Sequence, residues 1–264
     1  MASLTPEEIE TYHRDGIVVP QFRLPRDRVD ALVAALDGVI EANPGVRPEK
    51  LISIHVEKND EGVDGSKAFL DLSHDPDILD LVQQLIGEDI ILWGCHMFCK
   101  AAGDGLEVPW HQDGHYWPIR PLATCTVWIA LEHSDPENGC LRVVPGSHKG
   151  QKLHPHMKEE GDLALSDKID LSTFKEEDVM DVVLEPGQMS LHDVYMIHGS
   201  NKNASPRRRA GLAIRYMPAS SHFDRELWER SDGTGLMVDF STRPIWLLRG
   251  QDQTGKNDFE AGHK

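Results

Sequence analysis

Two histidines and one aspartate have the residue types and spacing of a metal site. His111-Gln112-Asp113 places an imidazole and a carboxylate two residues apart, and side chains at i and i+2 of an extended strand lie on one face. His198 follows downstream, at the predicted end of a strand pair. Two imidazoles and one carboxylate leave three coordination positions open, which non-haem Fe(II) oxygenases use for oxygen and a chelating cosubstrate. We interpret His111, Asp113 and His198 as metal ligands.

The His-x-Asp pattern alone is a weak signal, because it occurs four times in this chain. The copy at 13–15 lies on a predicted helix, where positions i and i+2 diverge. The copy at 133–135 precedes Pro-Glu-Asn-Gly and is typical of a turn. The copy at 222–224 follows the last predicted barrel strand, and no obvious third ligand comes after it. The copy that begins at His111 differs because His198 and then Arg209 follow it on predicted strands.

That arginine, Arg209, lies eleven residues after His198. The intervening segment 201–206 predicts a hairpin loop that returns the chain beside the histidine. A guanidinium group binds a carboxylate through two hydrogen bonds and stays charged at working pH, as the distal carboxylate of 2-oxoglutarate requires. Alternation along the strand gives one face with small residues beside arginines, which suits a barrel lumen: Arg209, Gly211, Ala213, Arg215 and Met217. Arg215 is the alternative for the same role.

The remaining chain predicts an α+β fold. Helices are expected from Thr5-Pro6, from Pro25 and from Asp75-Pro76, because capping residues precede apolar positions at helical spacing. Strands are expected near 89–100, 122–132, 140–144, 181–184, 189–192 and 209–217. This order favours a β-barrel or sandwich with helices packed on one sheet. We interpret 1–264 as a single domain: a mainly helical part (1–88), a barrel core (89–218) with a covering insertion (about 150–178), and a C-terminal extension (219–264).

Composition restricts the partners. The chain has 44 acidic and 27 basic side chains, a formal net charge of -17. Such a field disfavours nucleic acids and anionic membrane surfaces, and no apolar run approaches the roughly 20 residues of a membrane span. The four cysteines form no CxxC pair, and no leader pattern is present. We expect a cytoplasmic protein with a small-molecule substrate; its oligomeric state stays open.

Several segments together resemble the phytanoyl-CoA dioxygenase family, over roughly residues 90–218. The resemblance implies a double-stranded β-helix (jelly roll), Fe(II), 2-oxoglutarate, O2 and hydroxylation of a C–H bond. It carries the metal ligands onto His111, Asp113 and His198 and the cosubstrate salt bridge onto Arg209. The presence of Asp113 implies hydroxylation, since halogenating relatives lack this carboxylate. Cosubstrate contacts are implied for Ser200, Trp128 and Gln112. The matching segments are His111 to Pro118, Val127 to Leu131, Asn138 to Leu141, Pro145 to His148, His198 to Ser200, Arg209 and Arg215-Tyr216.

Polar, aromatic and cationic residues around the predicted metal strands favour a small polar or anionic substrate over a bare lipid chain. Aminoalkyl phosphonates, compatible solutes or amino acids, and natural-product intermediates are the candidates. Two other functions stay open, a cupin-like metal enzyme that does not use 2-oxoglutarate and a catalytically silent binding protein. The candidate substrate residues are His96, Lys100, His115, Tyr116, Trp117 and Arg120, with His55 and His154 as further candidates.

Overall fold

The computed structural model describes residues 1–58, 63–165, 167–227 and 240–263. Parts of the predicted helical N-terminal part, covering insertion and C-terminal extension therefore lie outside the described residues. Within these ranges, the α-helices are α1 (Pro6–Asp15), α2 (Arg26–Ala42), α3 (Lys67–Ser73) and α4 (Pro76–Ile86). None of the described helices is long and apolar enough to cross a membrane.

The helix starts follow from capping residues. The Thr5 hydroxyl accepts a hydrogen bond from the Glu8 backbone N–H, and the Glu8 carboxylate accepts one from the Thr5 N–H, which is a complete capping box. The Asp75 carboxylate caps α4 through two backbone N–H groups. These predicted helix starts are confirmed. The short helix α3 was not predicted from the sequence; it is capped by Ser66 and has only seven residues.

Two antiparallel sheets form the body of the molecule. The larger has the order β1-β11-β6-β13-β3-β15, with β2 also paired to β3, and the smaller has the order β10-β7-β12-β4. With helices on one sheet, this is the predicted α+β jelly-roll architecture. The strands of the described residues are β1 (Ile17–Val18), β2 (Leu51–Ile52), β3 (Ile90–Lys100), β4 (Val108–His111), β5 (Ile119–Arg120), β6 (Cys125–Ala130), β7 (Leu141–Val143), β8 (His156–Lys158), β9 (Asp167–Ile169), β10 (Met180–Val182), β11 (Met189–Asp193), β12 (His198–Ser200), β13 (Arg209–Pro218), β14 (His222–Phe223) and β15 (Trp246–Arg249).

The large sheet includes strands from outside residues 89–218, the range in which the barrel core was expected. It takes β1 and β2 from the N-terminal part and β15 from the C-terminal extension. The covering insertion is also more regular than its charged sequence indicated. Its strands β8 and β9 pair with each other, and the backbone N–H of Ala164 donates to the Glu107 carbonyl beside β4. The insertion therefore lies against the sheet edge that leads into His111.

The helices cover one face of the large sheet. Side chains that alternate along β13 (Leu212, Ile214 and Tyr216) are buried in one cluster with residues of all four helices. Full burial of such a side chain contributes about 1.5–3 kcal/mol, so this face anchors the sheet. The opposite face is free to line a pocket between the two sheets. Helical members of the cluster include Tyr12, Leu32, Leu36, Phe69, Leu72, Ile78 and Leu81.

We expect Tyr216→Phe to reduce the free energy of unfolding by about 1–3 kcal/mol, because it removes the buried donor to a carbonyl group. The Tyr216 hydroxyl donates to the Ser73 carbonyl at 3.0 Å and links β13 to the end of α3. Urea denaturation of both proteins measures the difference. The half-buried Tyr195 provides the control, since Tyr195→Phe should change stability by no more than about 0.5 kcal/mol. Equal losses in the two variants would contradict the assignment.

Candidate active site

The two predicted ligand histidines lie opposite each other on paired strands. His111 ends β4 and His198 begins β12, and the two residues are direct partners in the small sheet. Gln112 continues in an extended conformation, and Asp113 opens a short 3-10 turn, so the carboxylate returns to the same side as the first imidazole. One ligand atom from each residue of the triad lies within 4.8 Å of the others, and all three residues are buried.

Backbone carbonyls fix the orientation of both imidazoles. The Nδ1 atom of His111 lies 2.8 Å from the Pro109 carbonyl, and Nδ1 of His198 lies 3.0 Å from the Met196 carbonyl. A carbonyl only accepts, so each Nδ1 carries the proton and each Nε2 keeps its lone pair. These Nε2 atoms lie 3.5 and 4.0 Å from the two carboxylate oxygens of Asp113. The donors therefore converge on one point.

The pKa shifts favour the protonation states that bind a metal. Burial raises the pKa of Asp113, but interactions with the neighbouring His111, His198 and Arg215 outweigh it and hold that pKa below its usual range. Burial, followed by the proximity of His111, lowers the pKa of His198 to about 3. At neutral pH, the site thus has a carboxylate and an uncharged imidazole. Two imidazoles and one carboxylate fit the facial donor set of non-haem Fe(II).

Arg209 is a buried cation that lines the same pocket. It is 2% exposed, and its Nε and Nη2 atoms have no hydrogen-bond partner among the described residues. Burial lowers the pKa of Arg209 to about 10, so the group is still charged at neutral pH. A buried charge without a partner is strongly unfavourable. The side chain is therefore suited to an anionic ligand.

Gly211 allows an aromatic ring to lie across β13 beside this arginine. A Cβ atom at Gly211 would lie 1.9 Å from the Cζ2 atom of Trp128, so only glycine leaves room for the indole. The Arg209 guanidinium lies over that indole, 5.3 Å from the ring centroid. Trp128 thereby holds the guanidinium in place through a cation–π contact.

The other two predicted cosubstrate residues, Ser200 and Gln112, differ in whether they line the pocket. Ser200 lines the pocket next to the triad. Gln112 points away from it, because its neighbours on both sides point inward. Its amide donates to the carbonyls of Lys152 and Tyr195 and accepts from the His154 N–H. The contacts with Lys152 and His154 tie the covering insertion to the metal strand, and the structure does not place Gln112 in the cosubstrate pocket.

Two predicted substrate residues, Lys100 and His96, lie on the lumen face of β3 but do not line the pocket. The Lys100 Nζ atom donates to the carbonyls of Ser200 and Asn201, and burial lowers the pKa of this amino group to about 6. The Nε2 atom of His96 lies 3.1 Å from the Glu49 carbonyl. Both side chains thus have backbone partners inside the fold.

His115 and Tyr116 lie at the rim next to the triad. The imidazole of His115 is stacked on that of His156, with ring centroids 3.8 Å apart. The Tyr116 ring centroid is 6.1 Å from that of His111, and its hydroxyl donates to the Asp167 carbonyl in the covering insertion. These two side chains border the covered side of the site.

The remaining candidates are farther from the metal ligands. Trp117 packs edge-on against Trp93 at 4.5 Å and is buried. The exposed Arg120 donates to carbonyl groups of its own segment, which explains why it does not reach the pocket. His55 is buried in edge-on contact with Trp246. The sequence placed Trp117 and Arg120 near the site because they are close to the triad along the chain.

Three polar side chains of the pocket were missed or given another role: His192, Thr126 and Arg215. The Nε2 atom of His192 lies 4.0 Å from Asp113, and burial lowers the pKa of this histidine to about 4. Strand alternation is the signal that would have found His192 and Thr126, because each lies two residues from another inward side chain on β11 or β6. Arg215 had been considered only as an alternative cosubstrate residue.

The chain is similar in sequence to known proteins. The family model described as phytanoyl-CoA dioxygenase (PhyH) matches residues 12–211. Peroxisomal phytanoyl-CoA dioxygenase from Bos taurus is 31% identical over 197 residues, which cover 69% of this chain and 58% of the bovine protein. The match thus spans little more than half of that relative. Ectoine dioxygenase from Bordetella bronchiseptica is 24% identical over 81% of this chain and 75% of that protein.

A solved structure with the same fold is the apo form of the non-heme monooxygenase ThoJ. It superimposes with a TM-score of 0.72 at 25% identity, covering 94% of this chain and 85% of that one. The likeness supports the jelly-roll topology over nearly the whole chain.

We expect His111→Ala and His198→Ala to abolish stable Fe(II) binding without unfolding the protein, because two of three ligands do not hold the ion against water. Anaerobic Fe(II) titration and circular dichroism measure the two properties. The control is His133→Ala, which alters another His-x-Asp copy whose histidine is ion-paired with Asp135 away from the pocket. Wild-type Fe(II) affinity in either ligand variant would refute the triad.

Proposed function

This chain belongs to the phytanoyl-CoA dioxygenase family, and from that membership we propose that it is an Fe(II)- and 2-oxoglutarate-dependent dioxygenase that hydroxylates a C–H bond of a small polar molecule. One observation carries the proposal. The guanidinium of Arg209, whose buried Nε and Nη2 atoms have no hydrogen-bond partner among the described residues, lines the same pocket as the metal triad. A dianion that chelates iron at one end and has a carboxylate at the other matches both features.

Each residue of the pocket is proposed to have a role that follows from its position. The triad would hold Fe(II), and Arg209 would bind the distal carboxylate of 2-oxoglutarate, with Ser200 and Trp128 beside it. When bound, metal and cosubstrate supply the oxidising chemistry, in which O2, 2-oxoglutarate and R–H give R–OH, succinate and CO2. The protein supplies orientation, since the two imidazoles are fixed by carbonyl groups before any ligand arrives.

The pocket wall is partly apolar. The side chains of Phe98, Val108 and Leu141 line it together with the metal triad. A low-dielectric wall strengthens the pairing of Arg209 with a carboxylate. It also limits access of water to the reacting centre.

The two other functions considered are less well supported. A metal enzyme that does not use 2-oxoglutarate would leave the Arg209 charge buried without a ligand. A silent binding protein would have no need for three converging donors whose protonation states suit a metal. Arg209 and the triad together therefore favour the dioxygenase.

The proposal names a class of substrate rather than a single compound. The relatives are named for substrates as different as ectoine and phytanoyl-CoA, so family membership does not select one. The charged and polar side chains in the pocket wall, such as Arg215, favour an aminoalkyl phosphonate, a compatible solute or amino acid, or a natural-product intermediate over a lipid chain. His115 and Tyr116 are proposed to border this substrate. We also propose that 1–264 acts as one oxygenase domain and that it works in the cytoplasm.

We expect Arg209→Ala to weaken 2-oxoglutarate binding at least about tenfold, because loss of a buried charge-assisted pair costs roughly 2–5 kcal/mol. Titration of the anaerobic Fe(II) protein, followed by its visible charge-transfer band, gives the dissociation constant. Arg207→Ala is the matched control, since Arg207 is only two residues before Arg209 but is partly exposed and ion-paired with Asp135. An unchanged constant for Arg209→Ala would remove the cosubstrate assignment.

A substrate screen tests the function itself. Candidate compounds are incubated under air with the protein, Fe(II) and 2-oxoglutarate, and succinate is quantified together with a product 16 mass units heavier than the compound. The proposal expects succinate formation that depends on all three components and is stimulated by a compound of the polar class. Oxidation of a compound without any need for 2-oxoglutarate would overturn it.

A further inference from the structure

A row of three polar side chains crosses the large sheet inside the pocket. In the strand register, His192 of β11 is paired with Thr126 of β6, and Thr126 is paired with Arg215 of β13. Neighbouring strands lie about 4.8 Å apart, so the row is roughly 10 Å wide. All three side chains line the pocket that contains the metal triad. We call these residues the polar row.

Two members of the polar row are buried side chains whose polar atoms have no hydrogen-bond partner among the described residues. His192 is 2% exposed and Thr126 is 1% exposed. Both ring nitrogens of His192 and the Oγ1 atom of Thr126 lack a hydrogen-bond partner among the described residues. Buried polar atoms nearly always have partners in folded proteins. Two adjacent exceptions on one pocket wall point to a ligand that provides the missing hydrogen bonds.

The third member adds a positive charge with a defined position. The Arg215 guanidinium carbon lies 4.9 Å from the Trp117 ring centroid and 5.4 Å from that of Trp93. Two aromatic faces hold the group by cation–π contacts while it borders the pocket. This arrangement gives Trp117 a supporting role: it positions the guanidinium, and the guanidinium reaches the ligand.

The polar row is separate from the cosubstrate end of the pocket. Arg209 and Arg215 are six residues apart on β13, which is about 20 Å along a strand at roughly 3.3 Å per residue. Between them, the lumen positions are the small residues Gly211 and Ala213. Arg209 lies beside Trp128, and Arg215 lies in the row that faces Asp113. One strand therefore presents two cationic ends to a single pocket.

We propose that the polar row binds an anionic oxyacid group, a carboxylate, phosphonate or phosphate, of the primary substrate. A guanidinium, a hydroxyl and an imidazole together offer the donors that such a group accepts. Of the described lining residues, two carry guanidinium groups and one, Asp113, carries a carboxylate, which the metal would engage. The inference rests on the proposed function and specifies its substrate as a small anion.

An anion held at the polar row would determine which C–H bond is oxidised. The row faces the triad, since the Nε2 atom of His192 is 4.0 Å from Asp113. A substrate fixed at its charged end presents to the metal only the carbon atoms within a short reach of that end. Orientation of this kind selects one position among several C–H bonds of similar strength.

Calorimetric titration of the anaerobic Fe(II)·2-oxoglutarate protein tests this inference. The ligands are methylphosphonate, acetate and the neutral dimethyl sulfone, with 2-oxoglutarate saturating so that Arg209 is already occupied. At least one anion should bind and the sulfone should not. Arg215→Met should raise the dissociation constant of that anion at least about tenfold, as loss of a charge-assisted pair does, while 2-oxoglutarate binding changes less than about threefold. Arg207→Met, on the surface, should change neither.

Thr126→Val keeps the shape of its side chain and removes only the hydroxyl, so it tests the row without disturbing the packing. It should weaken anion binding by about three- to tenfold, the range for one hydrogen bond. Sulfone binding equal to that of the anions, or wild-type anion affinity in both Arg215→Met and Thr126→Val, would overturn the inference. If the wild type itself forms no charge-transfer band with Fe(II) and 2-oxoglutarate, it is the proposed function that fails.

Discussion

The requirement to keep a buried guanidinium charged governs the arrangement of the large sheet. Strand β13 is the central element because its two faces have opposite tasks. One face buries Leu212, Ile214 and Tyr216 under the helices, and this burial fixes the strand rigidly. The other face holds Arg209 in the pocket, where Trp128 contacts the guanidinium and the Nε and Nη2 atoms have no hydrogen-bond partner among the described residues. The hydrophobic face thus supports a buried charge with two donor atoms available to a ligand.

The small sheet supplies the metal donors by a different principle. His111 and His198 face each other across β4 and β12, and backbone carbonyl groups rather than acidic side chains orient their rings. Gln112 then ties the covering insertion to the same strand through its amide. The metal site is therefore assembled where one sheet, one short turn and one insertion meet, opposite the cationic wall of the large sheet.

Much of this arrangement could be predicted from the sequence. The capping residues Thr5 and Asp75 correctly predicted where two helices begin. The alternation along 209–217 correctly predicted which side chains face the lumen and which face the helices. The short strands β4 and β12 were not assigned bounds because three or four residues are too few to establish a period. Gln112 was expected at the cosubstrate, since a motif gives its place in the chain but not which way an intervening side chain points.

The sequence determined the chemistry of the site, since ligand types, their order and their spacing within one strand are local properties. It did not determine which distant residues share the pocket. His192 and Thr126 line it only because β11 pairs with β6, whereas Arg120, close to the triad along the chain, turns outward to the solvent. Strand pairing brings together residues separated by many positions, and that pairing results from burial of the whole sheet. For this reason, the metal triad could be recognised in the chain, but the opposite wall of its pocket required the tertiary structure.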